Sequence, residues 1–124
     1  MTPEALASLK SDLSHFTGTE AYHRWSVLFP DLLTDGAKYL AEKAGMFWLM
    51  DIIGSNRRKF LREGFATVNL TLSPNDKGTV EIDDGNGKVL YTQHIPYTDA
   101  PFPVKLFVAM AAENKLCIML PSEY

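Results

Sequence analysis

The chain has 124 residues, of which 46% are hydrophobic and 22% charged, and its net charge is −3 at pH 7. These values are typical of one globular domain with its own core, and they argue against a polyanion mimic or a general nucleic-acid binder. Cys117 is the single cysteine, which excludes an internal disulfide and favours a reducing compartment. The N-terminal residues lack the apolar core of a signal peptide, and no segment reaches the roughly 20 apolar residues of a membrane span. We therefore expect a cytoplasmic protein that does not enter the membrane.

Helical periodicity dominates the first half of the chain. Residues 3–15 combine leucines at i, i+3 and i+7 with Thr2 as an N-cap and a proline at the first helical position. This combination predicts an amphipathic helix. Thr19 is placed to cap a second, short helix. Residues 26–33 hold a proline among apolar side chains, and we interpret them as an irregular connection.

The strongest helical signal runs through residues 34–62. Thr34 is a good N-cap, and Asp35 places a negative charge at the positive end of the helix dipole. Gly45 either ends this helix or weakens it locally, because glycine is a poor helix former. Residues 46–50 are apolar on every side, which is typical of a helix buried in a core, since the segment is too short to span a membrane.

From Gly64 onward the hydrophobic period changes from 3.6 to 2, which predicts strands. The predicted strands lie at residues 66–73, 79–83, 88–95, 104–110 and 116–120. The first of them is the clearest, with Val68, Leu70 and Leu72 on its apolar face. Short turn-forming sequences link most of the strands. Residues 96–103 differ, because three prolines predict an extended loop there.

These elements predict an α+β fold in one domain, residues 1–124. Residues 1–63 form the helical part, and residues 64–124 form a five-stranded antiparallel meander with the helices packed on one of its faces. The closing residues 121–124 follow an apolar strand without a polar linker. We therefore expect this tail to pack on the domain, so that its removal lowers stability.

Four segments carry a family resemblance. They are FTGTEAYHRW at 16–25, TDGAKYLAEKAGMFWLMDII at 34–53, EIDDGNGKVLYTQHIPYTDAP at 81–101 and LPSEY at 120–124. In this order they resemble a family of small bacterial and phage proteins that is known only as a domain of unknown function. The resemblance implies a protein often encoded in phage or mobile DNA, and it brings no reaction, ligand or catalytic residue. The chain departs from the family pattern at residues 26–33 and after Ser55, so features that vary between members are expected there.

The sequence contains no recognisable catalytic or metal-binding spacing. His15, His23 and His94 are too far apart for a helical metal site, and no Cys-x-x-Cys or His-Glu-x-x-His pattern occurs. Cys117 alternates within the last predicted strand, so we interpret it as a small buried hydrophobe rather than a nucleophile. We therefore predict no catalytic residue, no metal and no cofactor.

A basic cluster is the most distinctive local feature, because four of the twelve cations lie in one short segment of an acidic chain. We predict that Arg57, Arg58 and Arg62 contact a macromolecular partner through its phosphate or carboxylate groups. Tyr22 and Trp25 combine aromatic bulk with hydrogen-bond donors, as residues central to interfaces do. They are the predicted apolar neighbours of the cluster.

Two other arrangements compete with this prediction. In the first, the arginines are used internally, in ion pairs with Asp31, Asp51 or Glu63 at a helix end. In the second, Asp51 lies in a pocket between helices and sheet, together with His23 or Arg24. Such a pocket would hold a small ligand or an active site.

Three functional hypotheses follow. The first is a non-catalytic binding protein from a phage or mobile element, which engages a protein more readily than nucleic acid and inhibits a host defence complex of the CRISPR type. The second is a small-ligand-binding protein or enzyme that uses the Asp51 pocket. The third is a protein that associates with itself as a homodimer.

Overall fold

A computed structural model describes residues 2–124 and shows a mixed α+β fold. Within these residues the helices are α1 (Pro3–Ser14), α2 (Asp35–Lys43), α3 (Phe47–Ser55) and α4 (Arg57–Phe60). The strands are β1 (Tyr22–Arg24), β2 (Leu32–Thr34), β3 (Phe65–Ser73), β4 (Lys77–Asp83), β5 (Val89–Ile95), β6 (Val104–Ala112) and β7 (Lys115–Met119). A short 3₁₀ helix, Pro121–Glu123, follows the last strand. No helix in this part of the chain is long and apolar enough to cross a bilayer.

The seven strands form one sheet in the order β1-β2-β7-β6-β3-β4-β5. The five predicted strands are confirmed as β3 to β7, but their arrangement as a meander is wrong. β6 pairs with β3 rather than with β5, because the proline-rich segment 96–103 is an extended crossing loop and not a hairpin. The sheet is also mixed, because β2 runs parallel to β7, with Leu32 opposite Cys117 and Leu33 opposite Ile118.

The first two strands lie in the part of the chain that the sequence predicted to be helical, and this prediction was wrong. Thr19 begins no helix of its own. Its hydroxyl donates to the carbonyl of Ala21 at 2.6 Å and accepts the amide of Asp35, the first residue of α2, at 2.9 Å. Leu32 and Leu33, predicted to be part of an irregular connection, form β2 together with Thr34. Strands of three residues contain too little alternation to be recognised, and the parallel partner of β2 lies near the other end of the chain. Residues 1–63 therefore contribute to the sheet as well as to the helical layer.

The predicted helix boundaries are confirmed where capping residues define them. The Thr2 hydroxyl accepts a hydrogen bond from the amide of Ala5 at 3.1 Å and begins α1. Thr34 does the same for α2, accepting from the amide of Ala37 at 3.2 Å. Just beyond the end of α2, Gly45 adopts φ +65°, a left-handed conformation that glycine reaches without strain and that stops the helix.

The core lies between the helices and one face of the sheet. The predicted inward face of β3 is confirmed, because Val68 and Leu70 are at most 1% exposed and Leu72 packs against the same core. Val80 and Ile82 of β4 lie on this face and are also fully buried. Alternation of apolar residues was therefore a reliable guide to the side of the sheet that the helices cover.

Helix α3 is buried on one side only, so the prediction of a helix buried all round was wrong. Leu49, Met50 and Ile53 are at most 1% exposed and face the sheet. Phe47 is 37% exposed, and Asp51 lies on the solvent side. Apolar composition alone could not show this, because helices in a two-layer fold have one face without a covering layer.

The opposite face of the sheet carries an aromatic group where the chain ends. The ring centroid of Tyr124 lies 5.4 Å from those of Phe65 and Phe107, and the latter two are 5.3 Å apart. Distances of this size are favourable for aromatic pairs. The Tyr124 ring thus contacts the sheet, although 75% of the residue is exposed.

Candidate functional site

The basic cluster begins where α3 ends. Asn56 separates α3 from α4, and its side-chain amide donates to the carbonyl of Ile52 at 2.8 Å. The single turn of α4 then directs Phe60 into the core, where it is 1% exposed. Arg57, three residues before Phe60, lies on nearly the same side of α4, whereas Arg58 and Lys59 lie on its other sides.

Arg57 is held by an internal ion pair. Its Nε and Nη2 atoms donate to Asp31 Oδ2 and Oδ1 at 2.9 and 3.0 Å, and Asp31 is 1% exposed. Asp31 Oδ1 also accepts the amide of Leu116 at 3.0 Å, and Arg57 Nη2 donates to the carbonyl of Asn114. The hydrogen bond to Asp31 raises the pKa of Arg57 above its ordinary value, and burial opposes the increase. Of the predicted partner contacts, Arg57 is therefore the residue that the fold itself uses.

Arg58, Lys59 and Arg62 remain exposed on the surface of the segment. Among residues 2–124, none of them lies within 4.0 Å of a carboxylate oxygen. Lys59 Nζ lies 5.7 Å from the ring centroid of Tyr91, which places it beside β5. We call these three cations the basic face.

The two aromatic residues predicted beside the cluster lie in different places. Trp25 packs against Phe29 with ring centroids 5.8 Å apart, and its Nε1 donates to Asp51 Oδ1 at 2.9 Å. It therefore covers the outer side of α3. Tyr22 lies opposite Thr34 in the β1–β2 ladder and is 58% exposed. Only Trp25 contacts a helix of the α3–α4 segment, so the fold does not gather both aromatic residues into one patch.

The three residues of the alternative pocket have three different partners. Asp51 accepts from the Trp25 indole, as described above. His23 Nε2 lies 2.7 Å from Asp35 Oδ1. The Arg24 guanidinium donates to three carbonyl groups of the loop that follows β1, at 3.1, 3.1 and 3.4 Å. The structure therefore does not bring Asp51, His23 and Arg24 together.

The loop held by Arg24 exposes apolar side chains. Val27 is 91% exposed and Leu28 is 79% exposed at its tip. The amide of Leu28 donates to Ser26 Oγ at 3.1 Å, which helps to fix the turn. Sequence reasoning treated this segment as an irregular connection, and single exposed apolar residues are common on soluble domains.

The N-terminus of α2 is surrounded by the side chains of two distant segments. Asp35 Oδ1 faces His23, and Oδ2 accepts the amide of Glu20 at 2.9 Å. These contacts, His23 first, lower the pKa of Asp35 below its ordinary value. The amide of Asp35 donates to Thr19 Oγ1 at 2.9 Å. The FTGTE segment therefore folds around the start of α2.

The tail completes the same corner through Glu123. Its Oε1 accepts from Thr34 Oγ1 at 2.6 Å and from the amide of Leu120 at 3.0 Å, and its Oε2 accepts from the amide of Gly36 at 2.9 Å. A Cβ atom at Gly36 would lie 2.5 Å from Oε1, so a larger residue there would have to displace the Glu123 carboxylate. Sequence reasoning missed Glu123, although a carboxylate in a packed tail was the available signal. Because the chain itself satisfies these helix-terminal amides, we interpret this corner as structural.

Burial explains the low reactivity of the Cys117 thiol. The side chain is 2% exposed, and burial, followed by the charge of Glu123, raises the pKa of its thiol to about 11. A thiol with so high a pKa is protonated at neutral pH and is a poor nucleophile. This agrees with the interpretation of Cys117 as a buried hydrophobe.

Comparison with known proteins identifies the family. The crystal structure of a protein of unknown function from Enterococcus faecalis resembles the chain with a TM-score of 0.56, at 19% identity over 84% of this chain and 98% of that chain. At this identity the likeness shows a shared fold alone. No curated protein matches the chain significantly. The family described as a family of unknown function, DUF6876, matches residues 7–124. The predicted resemblance is thereby confirmed, and the chain belongs to the DUF6876 family.

Proposed function

We propose that the protein is a non-catalytic binding protein whose basic face engages an acidic surface on a protein partner. One observation carries this proposal. In a segment where Arg57 is used internally, its neighbours Arg58, Lys59 and Arg62 are exposed and make no ion pair within residues 2–124. Exposed cations without internal partners are available to steer and hold an oppositely charged partner.

The charge of the chain favours a protein partner over nucleic acid. Tight binding to a duplex takes about 6–10 phosphate contacts, and the basic face supplies three cations. The rest of the chain is acidic, because the net charge of the whole is −3. A partner with a small acidic patch fits this distribution better than a uniformly charged polymer does.

We propose a phage or mobile element as the biological setting, which is the origin that the sequence resemblance implied. A small factor of this kind would act by occupying a surface of a bacterial defence complex. Neither catalysis nor a cofactor is needed for this mode of action, because occupying a surface blocks its other partners.

The test is affinity capture from a lysate of the bacterium that encodes the protein. Three baits are compared. The first is the wild-type protein, and the second, the basic-face variant, carries Arg58→Ser, Lys59→Ser and Arg62→Ser. The third is a matched control with Lys10→Ser, Lys43→Ser and Lys105→Ser, which removes the same charge from other exposed positions. Lysates are treated with nuclease, and the bound proteins are identified by mass spectrometry.

We expect the wild-type and control baits to retain the same protein, and the basic-face variant to lose it. Capture should weaken as the salt concentration rises from about 0.1 M to about 0.5 M, because contacts between exposed charges are screened. Equal recovery with the wild-type and the basic-face baits would contradict the proposal. Loss of the partner on nuclease treatment would show that nucleic acid, and not protein, is the contact.

A further inference from the structure

The two edge strands of the sheet differ in length and protection. β1 has three residues, whereas β5 has seven and, within residues 2–124, pairs only with β4. Proteins usually protect a long edge strand with lysines, prolines or bulges, because its unpaired peptide groups can bind another strand. Residues 89–95 contain no charged residue other than His94, and the one register shift of the β4–β5 pair lies near the start of β5, between Ile82 and Asp83. From Tyr91 to Ile95 the outer edge of β5 is regular.

Two kinds of side chain flank this edge on the helical face of the sheet. Near Tyr91 lies one member of the basic face, Lys59, whose Nζ is 5.7 Å from the ring centroid. Near Ile95 a groove of about 430 Å³ opens between α3 and β5. Its lining is mostly apolar, with Trp48, Ile52, Ile95 and Tyr97, and it also includes Gln93, Thr98 and one carboxylate, Asp99. One end of the edge therefore carries a lysine, and the other end is mostly apolar.

From this arrangement we infer that the outer edge of β5 binds an extended acidic segment of the partner protein as an eighth strand. The inference deepens the proposed function and rests on it. Main-chain hydrogen bonds would hold the segment, and its alternate side chains would face the helical layer. Tyr91 and Ile95 are four residues apart, about 13 Å along a strand. The partner segment therefore needs an acidic and an apolar side chain about four positions apart on one face.

Charge disfavours a second copy of the chain as the occupant. The β5 strand of a second copy would bring no carboxylate to Lys59, because residues 89–95 contain no Asp or Glu. An acidic segment supplies this charge.

The experiment begins with a displayed library of random peptides of about ten residues, selected on the full-length wild-type protein. Peptides that bind are then synthesised in two N-methylated forms, each methylated at one of the two alternating sets of amides. When a peptide adds to a sheet as a new strand, only one of its two alternating sets of amides points at the strand with which it pairs. We therefore expect one form to lose binding by about tenfold or more and the other form to bind as the parent peptide does.

Two protein variants complete the test. Lys59→Glu with Arg58→Glu should reduce the affinity of the selected acidic peptides by about tenfold or more, whereas Lys10→Glu with Lys43→Glu should leave it unchanged. On binding of the parent peptide, amide hydrogen exchange should slow at residues 91–95 of β5. No comparable slowing is expected in β1, which serves as an internal reference.

Three results would overturn the inference: a library without binders, equal effects of the two methylation patterns, or slowed exchange confined to other strands. The proposed function fails separately, when the basic-face bait captures the same protein as wild type. A partner captured through the basic face, together with equal effects of both methylation patterns, would keep the proposed function and reject strand addition. Binding of β5 to a second copy would appear as a concentration-dependent increase in mass, and this result also counts against the inference.

Discussion

The two ends of the sheet use their polar groups in opposite ways. At the β1 end, His23 contacts Asp35, and the Arg24 guanidinium donates to loop carbonyls, so both side chains stabilise the fold. At the β5 end, the strand is longer, its outer edge is unpaired, and the nearby cations of the basic face are exposed. Charged residues in this chain are therefore informative about function only after those with internal partners are set aside.

The same contrast occurs within one turn of helix. Arg57 and Arg58 are neighbours in sequence and equivalent in composition, yet Arg57 contacts a buried carboxylate and Arg58 is exposed. The difference arises because Phe60 anchors α4 and thereby directs Arg57 towards Asp31. Variants at either end of the sheet, or at either arginine, test whether the charges that stabilise the fold are distinct from the charges that are free to bind a partner.

The largest effect is expected from Asp31→Ala. This change leaves the Arg57 guanidinium and the amide of Leu116 without their acceptor in a buried region. Removing one partner of a buried ion pair costs roughly 3–5 kcal/mol. A domain of this size is stable by only about 5–15 kcal/mol, so the variant should unfold at a much lower urea concentration.

A double-mutant cycle provides the control for Asp31. If the pair acts as one unit, Arg57→Ala combined with Asp31→Ala should destabilise the protein by less than the sum of the two single changes. Additive losses would show that Asp31 and Arg57 act independently, and the assignment of Arg57 to the fold would then be wrong.

The next effect concerns the tail. Deleting residues 121–124 removes the Glu123 carboxylate, which accepts hydrogen bonds from Thr34 and from the amides of Gly36 and Leu120. Hydrogen bonds to charged groups contribute about 1.5–3 kcal/mol, so we expect a loss of about that size in urea unfolding. Tyr124→Ala removes only aromatic contacts and should cost about 1 kcal/mol or less. If both variants unfold like wild type, the tail does not stabilise the corner at α2.

Local signals in the sequence were enough to predict much of the fold. The N-caps at Thr2 and Thr34, the end of α2 at Gly45 and the inward face of β3 all depend on residues close together in the chain. Such features follow from capping and periodicity and do not need tertiary contacts. The strand order could not be predicted in this way, because it depends on which distant strands pair.

The candidate site was only partly predictable for the same reason. The basic cluster was visible in the sequence, but the division between Arg57 and its neighbours depends on Asp31, which lies before β2. The contact between Glu123 and the start of α2 joins segments at opposite ends of the chain. No periodic pattern connects residues so far apart.

A smaller effect on stability is expected when acid protonates Asp35 at the β1 end of the sheet. The contact with His23 lowers the pKa of Asp35 below its ordinary value of 3.8. A carboxylate whose pKa is lower in the folded state stabilises the protein fully above the unfolded pKa. This contribution is lost as the pH falls through the lower folded pKa. Melting temperatures measured between about pH 2 and pH 6 should therefore fall less steeply on acidification for Asp35→Asn than for wild type.

His23→Ala provides the control for this pH dependence. Because His23 is the first cause of the lowered pKa of Asp35, its removal should raise that pKa towards its ordinary value, so stability should fall less steeply on acidification than in wild type, as for Asp35→Asn. If wild type, Asp35→Asn and His23→Ala show parallel curves, the His23–Asp35 contact does not contribute to folding.

The smallest effect on stability should come from the basic face. Arg58→Ser and Arg62→Ser alter exposed side chains, and such changes usually shift the free energy of unfolding by less than about 0.5 kcal/mol each. Arg57→Ser, one position away, should be strongly destabilising, because it leaves the buried Asp31 carboxylate without its ion-pair partner. Urea unfolding of the three single variants measures this contrast directly. Comparable losses in all three would place the basic face among the structural charges, and neither the basic face nor the β5 edge would then be a surface set apart for a partner.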